Sequence, residues 1–458
     1  MKSISSLSRA PRQFSLGSRS SSYKAITCVF CETKQFLRPL QYAYYSSLPQ
    51  PDRISSITRT RVSLDTRSRI QTFTFAKRDK VLNIDVDEAE SLIVKFMEGV
   101  KLPELAKMFK VNISQIAELA LVLLRAPDLA DKKIPNFPPT LNRQIAHMLL
   151  MACSRAQEPL ATLHILNAVW TAQSRGYTSA IFNDLSAAEI REARKHLEHL
   201  AYKANDTDAM SLLGLILERE GKPKEAENLY SKAVSLANPS ITSTKGSKLG
   251  PQMVSPWNAY GTLLSQSRDP QNLEKAKQIF EKGALEADDP LCFYARALLD
   301  EERNTHTWLS YMTKAAASGH APAMYLVGNF YLEQAESAKR NDGILAKALK
   351  WLDTKDPRHN AEALGCEWHD LAARAGHKPS MLKMAGWMAE RKAYEGAAER
   401  LVAVLSRPKG MNEEFPETVQ DARQLLKELN ESVPEMRDVV AKKMEELTRG
   451  HGGQGGTQ

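Results

Sequence analysis

Residues 314–331 read KAAASGHAPAMYLVGNFY, and a related stretch, LAARAGHKPSMLKMAGWM, occupies residues 371–388. Each stretch contains a bulky residue, then a small residue, then an apolar residue three positions after the small one. The pattern occurs five times in the second half of the chain, as Leu213-Gly214-x2-Leu217, Tyr260-Gly261-x2-Leu264, Tyr294-Ala295-x2-Leu298, Val327-Gly328-x2-Tyr331 and Met384-Ala385-x2-Met388. The small residues let two helices approach closely and the bulky ones fill the seam, so the pattern predicts packed helix pairs.

The spacing of the five patterns indicates a structural repeat. The small position recurs after 47, 34, 33 and 57 residues, and the two middle intervals are typical of helix hairpins that bury their apolar faces by stacking. A Ser/Thr/Gly/Pro-rich loop at residues 238–256 accounts for the first interval. Residues 335–360 lengthen the last interval, either as an extra helix inside the fourth repeat or as a shortened additional repeat. We therefore predict an all-α solenoid of helix hairpins.

The two quoted junctions resemble SEL-one-like repeats, which are relatives of the tetratricopeptide repeat (TPR). The residues that match the family pattern at the first junction are Ala315, Ala316, Gly319, His320, Ala323, Val327, Gly328 and Tyr331. Residues 209–234 resemble an ordinary TPR unit, and the resemblance as a whole covers residues 206–405. It implies a right-handed α-solenoid that contacts other proteins, in which His320 and His377 are turn and packing residues.

The resemblance also suggests a class of partner. Mitochondrial repeat proteins of this kind, including a fungal type, serve the assembly of respiratory complexes such as cytochrome oxidase, or organellar gene expression. We expect assembly, with a respiratory-complex subunit or another assembly factor as the protein client, because the folded part of the chain is acidic. The alternative is a mitochondrial gene-expression factor that contacts RNA or the mitochondrial ribosome.

The positive charge of the chain is concentrated at its N-terminus. Residues 1–51 contain seven Lys/Arg and one acid, Glu32, whereas residues 81–458 contain 47 basic and 50 acidic residues. A basic, Ser-rich and nearly acid-free start is typical of a mitochondrial transit peptide, so we expect the matrix or the matrix face of the inner membrane. No stretch reaches the roughly 18 apolar residues that span a bilayer; peripheral membrane contact stays open. The acidic body does not indicate a broad nucleic-acid-binding face.

Composition and pattern together divide the chain into six segments. They are a transit peptide at 1–47, a basic disordered linker at 48–80, an N-terminal helical region at 81–205, the repeats at 206–406, capping helices at 407–448 and a disordered tail at 449–458. Capping helices are expected because the end of a solenoid must present a polar outer face.

The sequence contains none of the common catalytic or cofactor-binding motifs. A glycine-rich phosphate loop, a nucleophile elbow and a His-Glu-x2-His helix are all missing from it. Three short pairs have the spacing of two metal ligands, namely Cys28 with Cys31, His196 with His199 and Cys366 with His369. None has identifiable remaining ligands. We therefore predict a protein that is not an enzyme and that carries no metal or cofactor.

A partner would meet the first helices of the repeats, which line the concave face in related solenoids. Between their bulky positions, these helices carry Asn258, Arg296, Asn329 and Lys383, which we predict to be groove residues. Five tryptophans fall in or near the repeats: Trp257, Trp308, Trp351, Trp368 and Trp387. They could anchor a peptide, but packing in the repeat core is the favoured interpretation.

Residues 102–119, LPELAKMFKVNISQIAEL, resemble a helix-turn-helix unit. Ala106, Val111 and Ile116 occupy the positions through which two such helices would cross. Lys110 stands where a glycine usually permits the turn, and the second helix has no Lys or Arg to reach base edges. We therefore favour a structural packing unit over a nucleic-acid-binding one.

The leader sequence generates a direct prediction. Deleting residues 1–47 should leave the protein in the cytosol, and those residues fused to a fluorescent reporter should carry it into mitochondria, because import responds to the positive charge. Fluorescence microscopy and fractionation measure both results. A reporter that stays in the cytosol would overturn the transit-peptide interpretation.

Overall fold

A computed structural model describes residues 56–130, 137–175, 185–237, 253–267, 269–300, 305–340, 357–406 and 413–432. The regular secondary structure of these residues is entirely α-helical, in eighteen helices. Each helix of the second half packs on the one before it. The predicted all-α fold is therefore confirmed as an α-solenoid of helical repeats. Among these helices, none combines the length and apolar content needed to cross a bilayer.

The helices fall into an N-terminal group and a series of pairs. The N-terminal helices are α1 (Ser56–Arg78), α2 (Val86–Met97), α3 (Leu102–Met108), α4 (Ile113–Leu123), α5 (Asn142–Arg155), α6 (Pro159–Arg175) and α7 (Ala187–Tyr202). The first four pairs are α8 (Thr207–Arg219) with α9 (Pro223–Leu236), α10 (Pro256–Ser265) with α11 (Pro270–Ala287), α12 (Pro290–Leu298) with α13 (His306–Ala317), and α14 (Ala321–Arg340) with α15 (Pro357–Arg374). The fifth pair is α16 (Lys378–Glu390) with α17 (Tyr394–Leu405), and α18 (Pro416–Ser432) follows it.

Local sequence signals set the helix boundaries. The predicted capping box before α7 is present, with the Ser186 hydroxyl and the Glu189 side chain each bonding the other residue's backbone N–H. Gly221 has a φ of 77°, which favours glycine, and Pro223 opens the next helix. These residues produce the tight turn of the first hairpin.

Three of the five predicted seams are confirmed by the ring that faces their glycine. A Cβ added at Gly214 would lie 2.3 Å from the Tyr230 ring, and one at Gly261 would lie 2.5 Å from the Phe280 ring. At Gly328 the same atom would lie 2.9 Å from the imidazole of His369. In each case the facing ring belongs to the second helix of the same pair. The ring therefore packs directly on the glycine, and a side chain at this position would displace it.

The apolar core runs without a break across the predicted boundary at residue 206. Leu163 and Leu166 of α6 share one core cluster with α7 and the first repeats. Ala161 and Ile165 of the same helix belong to the core of the N-terminal helices. The two cores therefore meet on α6, and the repeats continue the packing of the helices before them.

The disordered linker predicted at 48–80 is wrong over residues 56–78, which form the 23-residue helix α1. The helix buries few apolar groups, of which Phe73 is the fully buried example. Its inner face is polar instead, with Arg61, Asp65 and Ser68 almost wholly enclosed. The composition of this segment suggested disorder because it contains no hydrophobic pattern. The helix is stabilised instead by hydrogen bonds and ion pairs, which such a pattern does not reveal.

Two arginines anchor α1 to the rest of the N-terminal helices. Arg61 pairs with Asp65 on its own helix, and its Nη1 donates to Asp128 at 2.8 Å. The carboxylate of Asp65 also accepts from the Thr140 hydroxyl at 2.8 Å. Arg69 donates to the Asn142 side chain at 2.9 Å. Buried charges of this kind are tolerated because each has partners.

One helix follows the fifth pair, in the region where capping helices were predicted. Val419 and Ala422 of α18 pack against Ala385, Leu401 and Val404 of the fifth pair, so a helix does cover the end of the described array. The second predicted capping helix, near 433–448, and the tail at 449–458 lie outside the described residues. So do the transit peptide and the segment at 341–356 whose role in the last interval was left open.

The glycine seam can be tested with two alanines. Gly261→Ala should lower the free energy of unfolding by about 1–3 kcal/mol, because its methyl group would overlap the buried Phe280 ring. Gly386→Ala is the matched control, since nothing lies within 4 Å of its added Cβ. It should raise stability by up to about 1 kcal/mol through helix propensity. Denaturant titrations measure both, and equal effects at the two sites would refute the seam.

Candidate partner-binding surface

The four predicted groove residues lie on the first helices of four successive pairs. Asn258 is on α10, Arg296 on α12, Asn329 on α14 and Lys383 on α16. All four side chains are half-buried. Their local contacts differ, and the differences decide which of them are open to a partner.

Lys383 and Asn329 come together across two neighbouring repeats. The Lys383 ammonium donates to the Asn329 carbonyl oxygen at 2.7 Å, although the residues are 54 positions apart. The same ammonium lies 5.7 Å from the centroid of the Trp387 ring, within the range of a cation–π contact. The structure thus places one cation, one amide and one aromatic ring at the junction of the fourth and fifth pairs.

The surroundings of Lys383 leave its charge only partly compensated. Burial lowers the pKa of the Lys383 ammonium, and the nearby carboxylates of Glu333 and Glu336 raise it part of the way back. Both glutamates are exposed to solvent. A half-buried cation of this kind gains from any further acceptor that a partner brings to it.

Arg296 and Asn258 are engaged within the protein. The Arg296 guanidinium pairs with Asp300, two residues past the end of its own helix, and lies 3.9 Å from a carboxylate oxygen of Glu281 on α11. The Asn258 side-chain oxygen accepts from the Thr262 hydroxyl at 3.0 Å. Arg296 is therefore already neutralised by two carboxylates, while Asn258 keeps its amide N–H groups for other contacts.

The histidines of the repeat turns take the turn and packing role that the resemblance implied. His320 accepts a hydrogen bond from the backbone N–H of Ala323 at 3.3 Å, and its ring lies 4.3 Å from that of Tyr294. His377 precedes α16, and its Nδ1 bonds the Ser380 hydroxyl at 3.0 Å. Both residues begin a helix and pack on an aromatic ring.

One buried histidine beside the Lys383 junction was not predicted to matter for packing. His369 is fully buried on α15, and neither ring nitrogen has a hydrogen-bond partner among the described residues. Its ring contacts Tyr325 and Trp387, with centroids 5.3 and 5.5 Å away. The sequence gives one indication of this packing role. His369 occupies the position opposite Gly328, and other repeats carry Tyr230 or Phe280 at the corresponding position.

The tryptophans divide between the core and the junction. Trp257 and Trp308 are buried in the repeat core, as the favoured interpretation predicted. Trp368 packs against that core while partly exposed, and Trp387 contacts Lys383. Trp351 lies outside the described residues. One aromatic side chain, that of Trp387, thus accompanies the polar pair.

The pairs with metal-ligand spacing do not form a site in the described part of the chain. No cluster of three or more His, Cys, Asp or Glu side chains there could hold a metal ion. His196 instead bonds the Thr162 hydroxyl at 2.7 Å, and Cys366 shares α15 with the unbonded His369. Cys28 and Cys31 precede the first described residue.

The helix-turn-helix-like segment is part of the core. Lys110 adopts a φ of 52° at the turn, the left-handed conformation in which a glycine is usual. Seven of the eleven residues of α4 are buried, and this helix packs on α5, α1 and α6. A helix enclosed in this way has no free face to insert into a nucleic-acid groove.

A depression on the surface of α13 is too open to enclose a small molecule. It has a volume of about 330 Å³ and lies between α13 and α14. Its lining residues are His306, Leu309, Ser310, Thr313, Lys314 and Tyr331. Small-molecule sites bury most of their ligand, so this surface suits an extended partner better than a metabolite.

Comparison with known proteins gives one informative similarity. A TPR repeat-containing protein of Dictyostelium discoideum is 26% identical to the chain over 174 residues, which is 35% of this chain and 59% of the relative. The chain thus spans less than two thirds of the length of this relative. No protein-family model and no solved structure matches the chain. The fold and the similarity together describe a TPR-like helical-repeat protein.

The unbonded His369 should make stability depend on pH. Burial, with Lys383 and His377 nearby, lowers the pKa of His369 to about 3, against about 6.5 in an unfolded chain. Below pH 6.5, His369 therefore binds a proton in the unfolded state, whereas in the folded state it binds one only near pH 3. The free energy of unfolding should fall across that window, by up to about 1.4 kcal/mol per pH unit for this residue.

Chemical denaturation at pH 7 and pH 5 measures the effect, and His369→Leu should reduce the difference between the two. The other histidines with lowered pKa values, among them His164 and His377, remain in the variant and set a residual slope. An unchanged slope in His369→Leu would show that this imidazole is already protonated when buried.

Proposed function

We propose that the repeat array is a protein-binding scaffold of mitochondria. Its client is a subunit or assembly factor of a respiratory complex, with cytochrome oxidase the favoured one. It works in the matrix or on the matrix face of the inner membrane, performs no catalysis and takes no cofactor. TPR-like solenoids commonly serve as protein-binding scaffolds, because their stacked helix pairs offer a long continuous surface.

The observation that carries the proposal is the junction of Lys383, Asn329 and Trp387. A lysine ammonium has three donors, and the structure shows one of them on Asn329. The carbonyl oxygens of an extended polypeptide supply further acceptors, and the indole ring offers apolar area to a neighbouring side chain at low entropic cost. A tryptophan such as Trp387 belongs to the residue types that dominate binding energy at protein interfaces.

The mitochondrial part of the proposal is supported by the leader. The first acid of the chain is Glu32, and five Lys/Arg precede it, at positions 2, 9, 12, 19 and 24. The assembly role is supported by the acidic charge of residues 81–458, which disfavours a broad RNA surface on the array.

The proposed junction can be tested by removing its charge. Lys383→Met keeps the aliphatic stem and deletes the ammonium, and Asn329→Ala deletes the amide that holds it. Each should weaken client capture from mitochondrial extracts by about tenfold or more, because truncating an interface anchor costs upwards of about 1.4 kcal/mol. Quantitative affinity purification of the tagged protein measures the loss.

Lys282→Met is the matched control, since Lys282 is an exposed lysine on α11, the second helix of its pair. Arg296→Met should have a smaller effect than Lys383→Met, because Arg296 is already paired with Asp300. Capture should survive ribonuclease. A complex that dissolves with ribonuclease and ignores Lys383→Met and Asn329→Ala would favour the gene-expression factor instead.

A further inference from the structure

The outward side of α1 presents positive charge alone. Its exposed row consists of Arg59, Ser63, Arg67, Ile70, Thr74 and Arg78. Successive members are three or four residues apart, so they lie on one face of the helix. The single acid of the helix, Asp65, is buried on the other side with Arg61.

Two of the three exposed arginines lack counter-charges. Arg59 and Arg67 make no ion pair with any residue that the structure describes. Arg78 pairs with its sequence neighbour Asp79, and its guanidinium lies 5.1 Å from the centroid of the Phe75 ring. By contrast, Arg61 and Arg69, on the inner side, each pair with a carboxylate. The free charge of α1 is therefore directed away from the helices on which it packs.

The same helix exposes an unusual amount of apolar surface. The relative exposure of Ile57 is 52%, of Val62 49%, of Ile70 42% and of Phe75 55%. No other described helix exposes more than two large apolar side chains. Three of the four on α1 are aliphatic.

The exposed arginines and the exposed apolar side chains of α1 together favour one kind of binding partner. A nucleic acid would use the arginines, but it gains little from Ile57, Val62 and Ile70, because bases stack on aromatic rings. An anionic lipid surface uses both. Its phosphate groups attract arginines, and the boundary between headgroups and acyl chains accepts aliphatic side chains.

We propose that the outward face of α1 adsorbs to a membrane surface that contains anionic lipids. The row from Arg59 to Arg78 extends about 28 Å along the helix, so its arginines reach several headgroups at once. The helix lies on the surface and does not cross it. Because Arg69 holds α1 to Glu90 of α2 and Asn142 of α5, and Arg61 holds it to Asp128 in the loop after α4, adsorption fixes the whole N-terminal group of helices at the membrane.

This inference goes beyond the scaffold function and uses different residues. The client junction lies on α14 and α16, and the lipid face lies on α1. Variants of one face therefore leave the other intact, so failure of either proposal is separately visible.

Co-sedimentation of the full chain with vesicles tests the proposal. One vesicle type is phosphatidylcholine alone, and the other is two parts phosphatidylcholine to one part phosphatidylglycerol. The wild type should bind the second type at low salt and lose most binding at high salt. Arg59→Ser with Arg67→Ser should lower the affinity about 25-fold, at about fivefold for each arginine. Ile70→Ser with Phe75→Ser should lower it at least fivefold, because burial of these groups contributes too.

Lys224→Ser with Lys232→Ser, two exposed lysines of α9, is the control with the same charge change and should bind as the wild type does. Circular dichroism confirms that each variant folds. Equal loss in the control, or no preference for phosphatidylglycerol, would overturn the proposal. So would binding of a single-stranded RNA oligonucleotide that is tighter than vesicle binding, depends on the two arginines and ignores Ile70 and Phe75.

Discussion

The close approach of a ring to a residue without a side chain determines this structure. Gly214 faces Tyr230, and Gly261 faces Phe280, at distances that leave no room for a methyl group. Each such contact fixes how far apart the two helices of a pair lie, and hence where the next pair can stack. The groove residues depend on this spacing, because Lys383 reaches Asn329 only if the fourth and fifth pairs are held in register.

The number of pairs stayed open in the sequence, because residues 335–360 allowed two interpretations. The seams could be predicted, because a small residue beside a bulky one has few uses on a helix other than close packing. The helix α1 could not. Apart from Phe73, its buried face consists of Arg61, Asp65, Ser68 and Arg69, and polar residues carry no sign of burial until their partners are known. Those partners, such as Asp128 and Asn142, are about 60 to 75 positions away in the chain.

The candidate groove shows a similar division. All four polar residues were found from their place on first helices, yet the sequence could not rank them. Ranking needed the contacts: Asp300 neutralises Arg296, whereas Lys383 retains a half-buried charge. The role of His369 was hidden for a related reason, since a histidine three residues from a cysteine is first read as a ligand pair. Its position opposite Gly328 gives the better explanation.

His369 also has a consequence for how the array comes apart. In a solenoid each pair touches only its neighbours, so the least stable pair limits cooperativity along the whole series. The fourth pair closes its seam with an imidazole whose two buried nitrogens find no partner among the described residues, a cost that the phenyl ring of the second pair does not bear. Amide hydrogen exchange through partial opening would therefore begin between α14 and α15, and would divide the array into two separately folded blocks.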